Sequence, residues 1–176
     1  VVKSPEFGAV AGFFGEYMTA PTYFSGDADY TGFHLHHCVH YMDLVRYFVA
    51  PVEHVTVFRN EVAPGKLLLH VHLGFANGAI GSVILGTLQS RGTPMERLQV
   101  MGDQRRVEVN GVIDVQYFRN PPFKADDPLA TLADGIDTLS WKPNFTAAAC
   151  EDFKGYNALL GAFFAELDGQ ATDLPT

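Results

Sequence analysis

Residues 66–86 read KLLLHVHLGFANGAIGSVILG. Leu69, Val71, Leu73 and Phe75 fall on one side of an extended chain, and Leu68, His70 and His72 on the other. Asn77-Gly78 then interrupts the pattern. Both residues of this pair tolerate positive φ, which makes it the strongest short signal for a two-residue hairpin turn. Residues 79–90 return as a second strand. Apolar residues occur at both parities of each strand, as expected where both faces of a sheet are covered. The stretch therefore predicts an antiparallel pair inside a larger sheet.

The flanking sequence extends that sheet. Residues 52–61 carry Val52, Val55, Val57 and Phe58 and read as the preceding strand. Downstream, MERLQVMG and RRVEVNG meet around Gly102-Asp103, and a second Asn-Gly at 110–111 leads into VIDVQYF. Short strands joined by tight turns imply antiparallel pairing. Upstream, residues 7–18 read as one long, bent strand, followed by a turn-rich loop. Residues 36–50 read as a helix. Residues 119–144, rich in Pro and Asp, read as an irregular loop. Residues 145–168 read as a closing helix, with Phe153, Tyr156, Leu160, Phe163 and Leu167 at spacings of three and four and Gly169 at its C-terminal cap. The predicted fold is α+β: an open, mainly antiparallel β-sheet with helices packed on one face. The length of 176 residues fits a single domain, 1–176. There are no internal repeats, no βαβ alternation and no GxGxxG motif.

Composition excludes several classes of function. Hydrophobic residues make up 47% of the chain, with 14 Phe and 7 Tyr, so it folds around a core. Twelve basic against twenty acidic residues leave a formal charge of −8, which disfavours nucleic acid or an anionic membrane as partner. No apolar run reaches the roughly 18 residues of a membrane span. No signal-peptide pattern opens the sequence, and the two cysteines, Cys38 and Cys150, read as buried free thiols of a cytoplasmic protein. Both ends look cut from a longer chain.

The helix at 36–50 carries the chemistry. At about 100° per residue, Cys38, Tyr41, Met42, Leu44, Val45, Phe48 and Val49 form one apolar face. His36, His40, Asp43 and Tyr47 lie within about 60° of one another on the opposite face, with His37 at its margin. A solvated face is usually built from Lys, Glu and Arg, and only Arg46 fits that description here. Two imidazoles, a carboxylate and a phenol instead make a set of proton carriers and hydrogen-bonding groups suited to a cleft. His36 and His40, one turn apart, could also reach a metal with Asp43 as third ligand. No HExxH pattern accompanies them, and the expectation is no metal. His70 and His72 read as half-buried sheet residues.

These residues resemble the carboxy-terminal domain of the Gfo/Idh/MocA oxidoreductases. The family's helix reads roughly Asp-x-x-x-His-x-x-Asp-Leu, and HHCVHYMDLVRYF supplies His40, Asp43 and Leu44 in register. FANGAIGSV (75–83) is similar to the family's hairpin, ERLQVMGDQRRVEVNG (96–111) to the segment after it, and FKGYNALLGAFFAELDGQ to its closing helix. At the family's Asp, four residues before the His, this chain has His36.

The resemblance implies a dihydrodipicolinate-reductase-like C-terminal domain. A preceding Rossmann domain, absent from this chain, would bind NAD or NADP. Hydride would pass between the nicotinamide and a carbinol carbon of a sugar, polyol or related compound. His40 would be the general base, Asp43 would assist it, and His36 and Tyr47 would contact substrate. The open sheet face would pack on another copy, as a dimer or tetramer. Within the same family, an NAD-dependent glycosidase is an alternative, and a non-catalytic assembly domain is a further one.

Overall fold

The computed structural model describes residues 1–21, 30–89, 95–119, 131–132, 138–142 and 156–172. The chain forms two compact units, Val1–Trp141 and Lys142–Thr176.

The first unit is built on a sheet whose described strands number nine: β1 (Gly12–Met18), β2 (Val52–Ala63), β3 (Lys66–Phe75), β4 (Ile80–Gly86), β5 (Met95–Met101), β6 (Arg106–Asn110), β7 (Asp114–Phe118), β8 (Thr131–Leu132) and β9 (Thr138–Trp141). Their order across the sheet is β2-β3-β4-β1-β5-β6-β7-β9-β8. The hairpin predicted around Asn77-Gly78 forms, but through a four-residue connection, 76–79, with Gly78 N–H donating to Phe75 O at 2.9 Å, and of the pair only Gly78 has positive φ. Gly78 takes φ +82°, and the Asn77 side-chain oxygen accepts from the Ala79 N–H at 3.1 Å. The remaining neighbours are antiparallel, except that β1 runs parallel to β4, with Gly12 opposite Ile80. The first strand in sequence thus sits in the middle of the sheet, which makes it the site where a helix rests.

Several predicted boundaries change, and the strand predicted over 79–90 ends already at Gly86. The long strand at 7–18 is shorter, because Pro5–Phe7 form a 3₁₀ turn and extension begins only at Gly12. Pro at the start of that turn fixes φ and lacks an N–H to donate. The irregular loop predicted for 119–144 contains β8 and β9. Thr138–Trp141 is too short to show a period by itself, and it forms by pairing with β7, Val115 opposite Trp141. Residues 120–130, 133–137 and 143–144 of that loop lie outside the described residues. The helix predicted for 36–50 starts earlier. It runs as α1 (Thr31–Phe33), a π-turn (His34–Cys38) and α2 (Val39–Phe48) without leaving helical dihedrals.

The two sheet faces differ. On one, Phe13, Tyr17, Val71, Val83, Val100 and Val107 are buried together with Phe33, Cys38, Tyr41 and Val45 of the helical segment. This is the core, and the helix covers it as the apolar wheel face predicted. The other face carries Phe14, Phe58, His70, His72, Ile80, Arg97 and Glu108, of which Phe58 and Ile80 are 63% and 66% exposed. His70 is half-buried as expected, whereas His72 is exposed, and their ring centroids lie 4.4 Å apart with the planes tilted by 39°.

The second unit contains α3 (Tyr156–Leu167). Residues 145–155 of the predicted helix lie outside the described residues. Its end is the one the sequence predicted: Gly169 N–H donates to Glu166 O and Gln170 N–H to Ala165 O, the paired bonds of a Schellman cap.

Candidate active site on the histidine helix

The site is set by how the helix is fastened to the sheet. Tyr30, just before α1, donates its hydroxyl to Glu61 Oε1 at 2.7 Å and accepts from the Gly65 N–H at 3.1 Å. That fixes the helix start to the β2–β3 hairpin. Burial, followed by the Glu61 carboxylate, pushes the Tyr30 phenol above its ordinary range, so it stays a donor.

The next fastening is at the π-turn. Val39 N–H reaches back to His34 O, one residue further than in an α-helix, and turns of this kind occur often at functional sites. The turn is held by a hydrogen bond between His37 Nδ1 and the Tyr17 hydroxyl of β1. The Tyr17 ring lies 5.6 Å from the His37 ring, 5.9 Å from Tyr41 and 6.5 Å from Phe33. Burial raises the Tyr17 phenol, reinforced by the negative charge of Glu96. Burial lowers His37, with further lowering from positive charge on His36 and His40. A neutral imidazole accepting from a neutral phenol follows from both shifts.

One turn on, the Tyr41 hydroxyl meets two backbone carbonyls, Glu16 O at 2.9 Å and Arg97 O. These belong to β1 and β5, so a single side chain ties α2 across the centre of the sheet. Cys38 beside it is free and buried, and burial pushes its thiol up to about 12. Cys150 lies outside the described residues.

With the helix so fastened, His36, His40, Asp43 and Tyr47 are all exposed. The stripe read from the sequence is present from His40 onward with ordinary helical spacing. His36 is different, because it sits inside the π-turn, where 100° per residue does not hold. Leu35 and Val39 are 66% and 46% exposed and give the stripe an apolar flank. Tyr47 is engaged by Lys3, whose Nζ stands 3.4 Å from the ring centroid. No hydrogen bond or ion pair joins His40 to Asp43 among the described residues. Among the same residues no group of three His, Cys, Asp or Glu side chains is placed to hold a metal.

A further acid was missed by the sequence reading. Glu96 of β5 is half-buried, and it stands opposite Tyr17 in the β1–β5 register. Burial raises its carboxyl, while the charge of His40 opposes that rise. The signal was present in MERLQV: Glu96 shares its parity with Leu98 and Val100, a side otherwise committed to the core. A charged residue at such a position is a departure that calls for a function.

A family model described as the GFO/IDH/MocA C-terminal domain matches residues 4–108, more than half of the chain. No curated protein sequence matches the chain significantly. Among solved structures, a dehydrogenase from Chromobacterium violaceum superposes with a TM-score of 0.70 at 21% identity, covering 96% of this chain and 49% of its own. Levoglucosan dehydrogenase in complex with NADH and L-sorbose gives 0.67 at 16% identity, over 98% and 53%. An oxidoreductase from Agrobacterium radiobacter in complex with NAD⁺, L-tartaric acid and magnesium gives 0.66 at 16%, over 98% and 51%. At these identities the likeness is one of fold, and the chain spans about half the length of these proteins.

Proposed function

The chain belongs to the GFO/IDH/MocA C-terminal domain family, and from that premise we propose that it is the substrate-binding and assembly part of an NAD(P)-dependent oxidoreductase acting on a sugar, polyol or related hydroxy compound. The observation that carries this reading is the stripe on α2: exposed His40 on a helix bolted to the sheet through the adjacent Tyr41. A rigid support under an exposed imidazole is what a proton-transfer group needs. Proteins of similar fold form complexes with NADH and L-sorbose, and with NAD⁺ and L-tartaric acid, each a cofactor beside a hydroxy compound.

Oxidation of a carbinol removes a hydride from carbon and a proton from oxygen. The residues of this chain handle the proton. His40 accepts it from the substrate hydroxyl, Asp43 assists in holding the substrate, and His36 and Tyr47 contact neighbouring hydroxyls. The dinucleotide is a different matter: among the described residues no glycine-rich turn leads from a strand into a helix, the feature that grips a pyrophosphate. The cofactor is therefore held mainly outside these residues, and the isolated chain is inactive.

The open sheet face has a separate role. A shallow cavity of about 380 Å³ lies there, lined by Phe14, Glu16, Ser82, Ile84, Arg97 and Glu108. Exposed apolar side chains around it favour cover by a second copy.

The test is a screen of the full-length protein with NAD⁺ and NADP⁺ against levoglucosan, L-sorbose and UDP-N-acetylglucosamine, reading nicotinamide absorbance. Substrate-dependent reduction of free cofactor supports the reading. Cleavage of a glycoside with no net change in cofactor would replace it with the glycosidase.

A further inference from the structure

The proton acceptor of the proposed reaction becomes an imidazolium when it takes the substrate proton. The question is which carboxylate supports that charge. Asp43 lies one turn after His40 on the same helix, but it is exposed. Water screens the charge of an exposed side chain more strongly than that of a half-buried one. A solvated carboxylate is therefore the weaker partner.

Glu96 is placed differently. It comes from β5 on the helix-covered face, where its strand neighbours of equal parity are Leu98 and Val100. Tyr17 stands opposite it on β1. Tyr41, the residue after His40, binds the carbonyl of Arg97, the residue after Glu96. This bond brings the His40 turn of the helix over the Glu96 position of the strand. Glu96 and Tyr41 also line one predominantly apolar cavity of about 250 Å³ between α2 and the β5–β6 hairpin. We propose that Glu96 is the positioning carboxylate of this site, a counter-charge supplied from the sheet that stabilises protonated His40. The inference rests on the reading of His40 as the base.

The titratable groups that bear on Glu96 are Tyr17 from β1 and His40 and Tyr41 from α2. Both phenols are raised by burial and stay neutral at ordinary pH, so neither supplies Glu96 with a counter-charge. Burial lifts the Glu96 carboxyl and the His40 charge restrains it. Burial disfavours an unaccompanied carboxylate here, so a positive charge forming nearby is its favourable partner.

Two measurements test this. The first is carbon-detected titration of Glu96 in the isotope-labelled full-length protein, before and after His40→Gln. The Glu96 midpoint is expected to rise when the imidazole is removed; an unchanged midpoint overturns the proposal. The second compares Glu96→Gln, Glu96→Asp and His40→Ala, using the panel compound oxidised fastest. Charge support of this kind shifts a proton equilibrium by about 1–3 pH units, so Glu96→Gln is expected to lower kcat by about 10-fold to 10³-fold, with Glu96→Asp recovering part of the loss. Thermal stability of Glu96→Gln is expected to be equal or higher, the opposite of a purely structural role. In the His40→Ala background, Glu96→Gln is expected to add no further loss. If His40→Ala lowers kcat and Glu96→Gln does not, the positioning role falls and the base survives. If His40→Ala itself leaves kcat intact, the reading of the base falls first.

Discussion

Tyr41 lies against Gly15 so closely that a Cβ added to the glycine would stand 2.6 Å from Tyr41 Cε1. Strand β1 carries the only residue type that lets the phenol lie over it and reach the carbonyls beyond. That contact sets the depth at which α2 rests on the sheet, and with it the position of His40. Gly15→Ala forces the ring outward. The expected cost is about 1–3 kcal/mol, typical of overpacking, read as a lower midpoint in urea with the m-value retained.

Tyr41→Phe keeps the ring and removes the hydroxyl. Two carbonyls, of Glu16 and Arg97, then lose a donor in the half-buried seam between α2 and the sheet. A loss of about 1–3 kcal/mol is expected, and Gly15→Ala combined with it is expected to be less than additive, because both act on the same contact.

His37 gives the fold a pH dependence of definite sign. Burial lowers its folded-state midpoint below the ordinary 6.5. Above that ordinary value the group is neutral in both states and its site is fully stable. As pH falls below it, the unfolded chain takes up the proton first, so stability falls until the lowered folded midpoint is reached. Denaturant midpoints measured across this interval are expected to drop with acid in the wild type and to drop less in His37→Gln. A difference of the opposite sign would contradict the Tyr17–His37 assignment.

Cys38 is expected to be slow toward thiol reagents. Its thiol is buried and pushed up to about 12, so little thiolate is present near neutral pH. Peptide mapping after brief native labelling is expected to show Cys38 unmodified, with full modification in denaturant. Mapping by peptide keeps Cys150 apart from the result.

Much of the fold was legible in the sequence because its signals are local. The alternation of Leu69, Val71, Leu73 and Phe75, the turn at Asn77-Gly78 and the Gly169 cap each need only a few neighbouring residues. What was not legible depended on distant partners. β9 is four residues long and exists because β7 lies beside it. The site divides in the same way. His40, Asp43 and Tyr47 follow from helical spacing alone. The π-turn that displaces His36 is held by Tyr17, twenty residues earlier in the chain than His37. Glu96 was missed because its local mark is only a charge on the core parity of β5, and pairing with Tyr17 is what gives that parity a meaning.

The central claim is that His40 is the proton acceptor, and one measurement addresses it most directly: single-turnover oxidation of the best panel compound by full-length wild type and His40→Ala, each saturated with cofactor. A positioned general base contributes about 10²–10⁴-fold. The expected result is a fall of that size in the oxidation rate with cofactor affinity unchanged. An oxidation rate within about twofold of wild type, on the same compound, would contradict the account.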